Sequence, residues 1–396
     1  MLLSALSDSQ LLAIFFVARW QSAGAPKRVR LVELGPGRGT LLCDMIRTFS
    51  AFPDMLSSLR SIELVELSPV MLEQQEANVA KTLHMLGKRL ASADTPIEQL
   101  QPDEVRIEWF PAHDRLAIDP ASWTMVVAHE FFDALPIHIF EKKLEGWREV
   151  LVDVDDGSKP GVTVIKASDI GKPPKEVGLR FVLSRTATPW TQLLVVNSER
   201  FRELHPGQRV EISPTSWGVA RRLGELVSGY PALRPNKDGK MEKPTEAVAA
   251  QRAQPSLGGC GLIVDYGGDH WYSDSLRAFK QHRIVDPLAD PGVADLTANV
   301  DFSLLRQAVA TSDANTHGPM SQLDFLTAMG IQVRVQKLTS QNPTRKAAIE
   351  QAAARLVDAT SMGKQYQMMA LSAPAQAQAA EHEPEEVYPF LYERTA

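Results

Sequence analysis

A short β-branched run that ends in glycines and continues into a helix constrains this chain more than any other feature. Val29–Glu33 reads VRLVE, glycines follow as Gly35, Gly37 and Gly39, and Leu41–Phe49 has the apolar spacing of a helix. Glycine lets the backbone approach a bound molecule closely, and the N-terminus of the next helix offers free amides. A strand, a glycine turn and a helix in this order predict an α/β unit that binds a nucleotide or nucleoside.

Strand and helix signals alternate through most of the chain. After the first strand, four further strands with helices between them are predicted at residues 61–66, 105–110, 123–128 and 260–266. Residues 331–338 (IQVRVQKL) and 366–371 (YQMMAL) complete the set. Strands that alternate with helices predict an α/β fold with a doubly wound, mostly parallel sheet of about seven strands.

A long interruption separates the fourth and fifth of these strands, at about residues 135–259. Residues 147–154 (WREVLVDV) and 179–183 (LRFVL) alternate with the two-residue period of exposed strands, so we expect an inserted antiparallel β meander. Residues 155–177 and 230–259 are rich in Pro, Gly and Lys and are predicted to be mobile loops. We therefore expect a single domain over residues 1–371 with this insertion, and a disordered tail over residues 373–396.

Charge and cysteine content exclude several classes of protein. The 396 residues have a net charge of -6, which gives no electrostatic footprint for nucleic acid or an anionic membrane. The two cysteines, Cys43 and Cys260, exclude a disulfide framework and a cysteine-built zinc site, so no metal is expected. The apolar run Leu11–Val17 is too short to span a bilayer and predicts a helix buried against the sheet. The oligomeric state stays open.

Two acidic strand ends favour one cofactor over another. Glu33 ends the first strand just before the first glycine, and Glu66 ends the second strand, where a carboxylate can bind both ribose hydroxyls. Glu66 comes later than the roughly 20-residue interval of the NAD pattern, and Gly39 comes one position earlier than that pattern's third glycine. The spacing favours S-adenosyl-L-methionine, bound by Glu33, Gly35, Gly37, Gly39 and Glu66. An NAD-dependent oxidoreductase is a minor alternative, and a turn without ligand another.

The loop after the fourth strand carries the candidate catalytic residues. It reads AHEFFDALP and should lie at the carboxyl edge of the sheet, where ligands of open α/β sheets bind. Carboxylates at Glu130 and Asp133 can hold a guanidinium or an amine through charge-assisted hydrogen bonds. The alternative is that Asp133 caps a turn and Glu130 is a solvated acid.

Three further residues are candidates for the substrate side of the same edge. They are His129, Asp265 at the end of the fifth strand, and Asp295 in an acidic loop. Ordinary turn chemistry can also account for the two acids, and a lone histidine is often structural.

Four segments in the order VELGPGRGTLLCDMIR, VVAHEFFDALPIHIF with GWREVLVDV, GLIVDYGG and DPGVADLTANVDFSLLR resemble the MidA-type methyltransferases. The resemblance covers roughly residues 9–371 apart from the two long loops. It implies a class I (Rossmann-like) methyltransferase fold and S-adenosyl-L-methionine as cofactor. It also implies symmetric dimethylation of an arginine on the 49-kDa-type subunit of complex I in the mitochondrial matrix, in support of complex I assembly.

One departure from the family keeps a second function open. Members usually carry several dozen residues before this start, including a Gly-Asp-Phe…Ser-Pro-Glu loop that lies over the cofactor. This chain begins within the following helix, near Ser9-Gln10, and shows no presequence. Against the resemblance, either the start is misassigned or the chain is an N-terminally shortened form. The alternative function is a methyltransferase-like assembly chaperone that binds complex I subunits with weak turnover.

Overall fold

The computed structural model describes residues 9–155, 178–233, 243–281, 283–375 and 386–391. Within them the α-helices are α1 (Ser9–Ser22), α2 (Thr40–Phe49), α3 (Pro53–Ser58), α4 (Pro69–Met85), α5 (Pro189–Thr191), α6 (Pro214–Ser228), α7 (Glu246–Arg252), α8 (Phe302–Val309), α9 (Gln322–Ala328), α10 (Ile331–Gln341), α11 (Lys346–Leu356) and α12 (Met362–Gln365). The strands of the same ranges are β1 (Val29–Leu34), β2 (Leu59–Val65), β3 (Arg89–Ala91), β4 (Glu104–Phe110), β5 (Trp123–His129), β6 (His138–Lys143), β7 (Gly146–Asp155), β8 (Gly178–Leu183), β9 (Arg209–Ile212), β10 (Gly259–Gly268), β11 (Arg277–Lys280), β12 (Arg283–Val285), β13 (Asp295–Thr297), β14 (Val300–Asp301), β15 (Asn315–Ser321) and β16 (Tyr366–Ala373).

The chain divides into two compact units. The first comprises Met1–Phe132, Ser216–Asp269 and Phe302–Ala396, and the second comprises Asp133–Thr215 and His270–Asp301. Most of α6 therefore belongs to the first unit, although it lies within the stretch that the sequence predicts as an insertion. The second unit also takes in a later segment that the sequence assigns to the main domain.

A twisted sheet forms the centre of the first unit, in the order β3-β4-β2-β1-β5-β10-β16-β15. Strand β1 is parallel to both β2 and β5, and β10 is parallel to β5. Strand β16 is antiparallel to β10, and β15 is antiparallel to β16. The predicted α/β fold with a doubly wound, mostly parallel sheet is confirmed.

One edge strand of this sheet is not the one that the sequence predicts. Residues 331–338 form most of helix α10, so the prediction of a strand there is wrong. Ile331, Val335 and Leu338 have helical spacing and pack on the core, whereas Val333 is exposed. The alternating pattern of this short run is compatible with both structures. The edge position is taken by β15, whose sequence NTHGPMS contains one β-branched residue, Thr316, and is otherwise poor in the residue types typical of strands.

The loop and tail predictions are corrected in part. Residues 156–177 of the first predicted loop and residues 234–242 of the second lie outside the described residues. Within the second loop, Glu246–Arg252 forms helix α7, which Thr245 caps through its side chain. In the tail that was predicted to be disordered, Val387 and Phe390 are buried in the core of the first unit. Aromatic contacts with Phe15 and Phe325 hold Phe390 there.

Helix α1 is largely apolar and packs into the core of the first unit. Leu12, Phe15 and Phe16 are buried, which confirms the prediction of a core helix for this segment. Burial of one such side chain contributes on the order of 1.5–3 kcal/mol to stability. In the part of the chain that the structure describes, no helix is both long and apolar enough to span a bilayer.

The second unit is built from short antiparallel strands. One sheet has the order β8-β7-β6-β9, and a second has the order β12-β11-β13. Phe140, Trp147, Phe201 and Val210 are among the buried residues of its core. The predicted antiparallel β meander is confirmed in this unit.

Candidate active site at the carboxyl edge of the sheet

Four parallel strands of the first unit bring the predicted site residues to one edge. Register pairs Leu34 with Val65 and with Ala128, and pairs Ala128 with Ile263. The residues that follow these positions are therefore neighbours across the sheet. They carry the glycine loop after β1, Glu66 after β2, the 129–132 segment after β5 and the Asp-Tyr pair of β10. This is the edge at which open α/β sheets bind their ligands.

The glycine loop adopts backbone conformations that only glycine accepts readily. Gly35, Gly37 and Gly39 have φ of +62°, +53° and +72°. Gly35 donates its amide hydrogen to the Val65 carbonyl at 3.0 Å, which ties the loop to the end of β2. A Cβ built on Gly37 would meet no atom within 4 Å, so the loop presents open backbone there. This is the surface that a nucleoside ligand needs.

The Glu66 carboxylate is held by three donors at the end of β2. Its Oε1 accepts hydrogen bonds from the amides of Leu67 and Ser68, each at 2.9 Å. Its Oε2 accepts a bond from Gln75 Nε2 at 3.1 Å. These bonds fix the direction of the carboxylate while the residue remains half-exposed. A carboxylate held in this way suits the predicted contact with ribose hydroxyls.

Gln75 of α4 connects three parts of the site, and sequence reasoning missed it. Its Nε2 also donates to the Gly37 carbonyl at 2.6 Å, and its Oε1 accepts from Trp109 Nε1 at 2.9 Å. The side chain is completely buried. A fully buried amide joining the glycine loop, the acid at position 66 and β4 is a positioning group. Glutamine in a mostly polar helix gives no sequence signal for such a role.

Glu33 is buried at the end of β1, with a relative exposure of 3%. Burial raises the pKa of its carboxyl to about 7, and the nearby imidazole of His129 opposes part of that rise. Within the described residues its Oε2 has no hydrogen-bond partner. A buried acid with an unused acceptor suits a ligand that brings positive charge or a donor to this edge.

Glu130 lies in the left-handed region with a φ of +50°, which is uncommon for a residue with a side chain. Its amide donates to the Val264 carbonyl at 2.9 Å. The next two amides, of Phe131 and Phe132, donate to Asp265 Oδ2 at 3.1 and 2.8 Å. Strained backbone of this kind is concentrated at functional sites. The loop is thus held in a conformation that places Glu130 at the surface.

Asp265 holds the backbone of this loop from its buried side. It is fully buried, and its second oxygen accepts a bond from the Tyr266 amide at 2.9 Å. Sequence reasoning proposed Asp265 as a substrate-side residue, whereas the structure shows it holding the backbone that carries Glu130. We assign it to loop positioning.

Two tyrosines lie beside Glu130, and sequence reasoning missed both. Tyr366 at the start of β16 donates a hydrogen bond to Glu130 Oε1. Tyr266 lies opposite Tyr366 in the β10–β16 pairing, with the two hydroxyl oxygens 2.5 Å apart and the ring centroids 4.1 Å apart. The His129 ring lies 6.4 Å from the Tyr366 ring. For Tyr366, the one sequence signal was an aromatic residue at the start of the predicted strand 366–371.

The structure places the other two predicted acids in the second unit. Asp133 Oδ2 accepts a hydrogen bond from Thr297 Oγ1 at 2.7 Å, and its carbonyl accepts one from the Ala298 amide at 3.0 Å. These bonds join the segments HEFFDALP and DPGVADLTANVDF. Asp295 is exposed on β13.

The edge of the first unit fits S-adenosyl-L-methionine. Open backbone at Gly37 and the oriented carboxylate of Glu66 suit the nucleoside part of the molecule. Glu33 Oε2, which is buried and has no hydrogen-bond partner among the described residues, suits a ligand that carries a sulfonium and an ammonium group. When bound, this cofactor supplies an electrophilic methyl group.

Comparison with known proteins identifies the family. Residues 11–320 match the model of a family described as S-adenosyl-L-methionine-dependent methyltransferases. Proteins named mitochondrial protein arginine methyltransferase NDUFAF7 are 33% identical in Xenopus tropicalis (84% of this chain, 65% of that protein) and in Rattus norvegicus (91% and 71%). The Homo sapiens protein of that name is 32% identical (91% and 70%). The chain thus spans about two thirds of the length of these relatives.

Two solved structures show the same fold. A protein of a methyl transferase superfamily from Burkholderia thailandensis, solved bound to S-adenosyl-homocysteine, superimposes with a TM-score of 0.66 at 20% identity, covering 94% of this chain and 77% of that chain. A native structure from the same organism gives a TM-score of 0.65 at 19% identity, covering 94% and 80%. The fold is that of class I methyltransferases. The chain belongs to the family of S-adenosyl-L-methionine-dependent methyltransferases, and S-adenosyl-L-methionine is its cofactor.

Proposed function

We propose that this chain is a protein arginine N-methyltransferase of mitochondria. In this proposal it forms symmetric dimethylarginine on the 49-kDa-type subunit of complex I in the matrix, and so supports complex I assembly. The names of its relatives support the arginine specificity and the compartment. The resemblance to the MidA-type enzymes supports the choice of substrate. Asp133 stays the proposed second acid, and His129 and Asp295 stay substrate-side candidates.

The observation that carries the proposal is the exposure and position of the Glu130 carboxylate. A guanidinium keeps its positive charge at any physiological pH and presents a planar set of donors that matches a carboxylate. Glu130 is an exposed carboxylate on strained backbone, at the same sheet edge as the cofactor residues. It is thus positioned to hold a cationic substrate beside the cofactor site.

The chemistry asks little of the protein beyond positioning. When held by Gly37 and Glu66, S-adenosyl-L-methionine would supply its methyl group to a guanidino nitrogen and would be left as the thioether, with the electron pair of the broken carbon–sulfur bond on sulfur. The nitrogen then releases one proton to water. Glu130 binds the guanidinium, orients the attacking nitrogen and stabilises the charge that stays on the group.

The test measures methyl transfer and cofactor binding on the same samples. Purified protein is incubated with S-adenosyl-L-methionine and the recombinant 49-kDa-type subunit, and dimethylarginine is located by mass spectrometry. Affinity for S-adenosyl-homocysteine is measured by calorimetry. We expect E130Q to bind S-adenosyl-homocysteine like the wild type and to lose transfer, because it removes charge on the substrate side. E76Q, which changes an exposed acid on α4, is the matched control and should retain both.

A second variant separates the two halves of the site. G37V should lose cofactor binding, because valine cannot adopt a φ of +53° without strain and would fill open space on the loop. If wild-type protein binds S-adenosyl-homocysteine and the subunit but transfers no methyl group to arginine, the enzyme proposal fails. The assembly-chaperone function would then be favoured. Transfer by E130Q at the wild-type rate would remove Glu130 from the mechanism.

A further inference from the structure

The surroundings of the Glu130 carboxylate are asymmetric. Its Oε1 accepts a hydrogen bond from the Tyr366 hydroxyl, while Oε2 takes no hydrogen bond or ion pair from the described residues. Among the described residues, only Oε1 is thus engaged. A carboxylate held at one oxygen keeps a single orientation and offers the other oxygen to a ligand.

The donor side of this bond is built into the sheet. Tyr366 is 2% exposed, so its ring is fixed by packing. Burial and the contact with Glu130 raise the pKa of Tyr366, which keeps its hydroxyl protonated. Its single proton is used on the carboxylate. The Tyr266 hydroxyl lies 2.5 Å from the Tyr366 hydroxyl. The two hydroxyls and the Glu130 carboxylate thus form one hydrogen-bonded chain.

We propose that Tyr366 is a positioning residue that fixes Glu130 with Oε2 toward the substrate, and that Tyr266 is its supporting hydrogen-bond partner. The inference rests on the proposed function, since it specifies how the substrate-side acid of that reaction is held. Backbone restraints already fix the loop through Val264 and Asp265. Within the part of the chain that the structure describes, the tyrosine pair adds the restraint that acts on the side chain itself. Arginine recognition is the property that should depend on it.

The first experiment is a cycle of variants assayed with an arginine peptide from the 49-kDa-type subunit. Y366F keeps the ring and removes the donor. Because a hydrogen bond to a charged group is lost, we expect kcat/KM to fall by about ten- to hundredfold. We expect kcat to fall and KM for the peptide to rise, with unchanged affinity for S-adenosyl-homocysteine. Y266F should give a smaller loss of the same kind. Y230F, which also removes a hydroxyl bond, one to the Gln254 carbonyl at 2.8 Å, is the control and should be active.

The double variant E130Q/Y366F distinguishes positioning from a structural effect. If Tyr366 acts through Glu130, the double variant has the residual activity of E130Q alone. A further loss in the double variant, or a Y366F enzyme within twofold of the wild type, overturns the proposal.

A spectroscopic readout keeps the inference independent of turnover. In protein labelled with carbon-13 at the tyrosine Cζ, the Tyr366 resonance is identified by its absence from Y366F. The hydrogen bond predicts that this resonance moves in E130Q and does not move in E76Q. An unmoved resonance overturns the inference even if arginine methylation is confirmed. If the wild type methylates no arginine and the resonance moves, the proposed function fails while the Glu130–Tyr366 coupling holds.

Discussion

Two charged residues of the same strand have opposite surroundings. Arg30, near the start of β1, is 2% exposed and binds the Glu63 carboxylate through Nε at 2.9 Å and Nη2 at 2.5 Å. Its Nη1 donates to the Ala117 carbonyl at 2.7 Å. Glu33, three residues later at the carboxyl end of the strand, is equally buried but has one oxygen without a hydrogen-bond partner in the described residues.

The difference separates stability from function along a single strand. A buried charge whose partners are all present can be accommodated, whereas a buried acid with an unused acceptor is energetically unfavourable. The unfavourable group lies at the ligand edge of the sheet, and the satisfied pair lies at the other end of the strand.

The largest effect should come from breaking the satisfied end. R30M leaves the Glu63 carboxylate buried without its bidentate partner, and we expect the free energy of unfolding to fall by about 3 kcal/mol or somewhat more. Arg106, whose Nη2 is 3.8 Å from Glu63, provides some compensation and keeps the loss at the lower end of the usual range. Urea denaturation followed by circular dichroism gives the value.

Two variants control this measurement. R89M removes an exposed arginine paired with Asp103 and should change stability by less than about 1 kcal/mol. Adding E63L to R30M should recover most of the loss, because the stranded carboxylate is then gone. A loss in R30M no larger than that in R89M would show that the buried pair adds nothing to the scaffold.

At the other end of β1, E33Q should change how stability depends on pH. Burial raises the pKa of Glu33 from 4.5 in the unfolded reference to about 7. Between these values the folded protein keeps a proton that the unfolded chain has released, so wild-type stability falls as pH rises through this window. The difference corresponds to at most about 3 kcal/mol.

Glutamine does not titrate, so E33Q lacks this decline. Relative to the wild type, E33Q should gain stability as the pH is raised from 4.5 to 8, which denaturation curves across that range will measure. E76Q, which alters an exposed acid, should follow the wild-type curve. Parallel pH profiles for E33Q and the wild type would contradict the assignment of the raised pKa to this carboxyl.

The sequence was sufficient to predict the cofactor edge of the sheet, but not every strand. Glycines with positive φ and acids that end parallel strands have fixed positions relative to the sheet, so the cofactor edge followed from their order along the chain. The prediction of a strand at 331–338 was wrong because the run also has helical spacing, with Ile331, Val335 and Leu338 four and three residues apart. The contacts of these three residues with the core favour the helix. Local pattern alone does not decide such short segments.

The missed residues share a different property. Gln75 and Tyr366 act through hydrogen bonds to residues 38 and 236 positions away in the chain. The residues adjacent to them in the sequence do not indicate such distant partners. Asp265 was identified from its place on a strand end, but whether its carboxylate faced a ligand or the backbone depended on packing. Strand order thus predicts where a site lies, whereas the direction of each side chain requires the structure.

Gln75 offers the smallest expected effect and the sharpest probe of the ligand edge. Q75L keeps a similar volume and removes the bonds to the Gly37 carbonyl, the Glu66 carboxylate and the Trp109 indole. We expect affinity for S-adenosyl-homocysteine to fall about tenfold, because the loop and the ribose-binding acid lose their common restraint. Titration calorimetry measures the change directly.

The control and the contrary result define what Gln75 contributes. N78A removes an exposed bond to the carbonyl of Arg38 in the same loop, at 3.0 Å, and should leave affinity within about twofold, since an exposed bond is replaced by water. Q75E should weaken binding more than Q75L, because a second carboxylate would face Glu66. If Q75L binds S-adenosyl-homocysteine as tightly as the wild type, the glycine loop holds its shape without help. The ligand edge would then be held in place without Gln75, as the Arg30 end of β1 is held by its own ion pair, even though Glu33 at the ligand edge has an acceptor that no described residue uses.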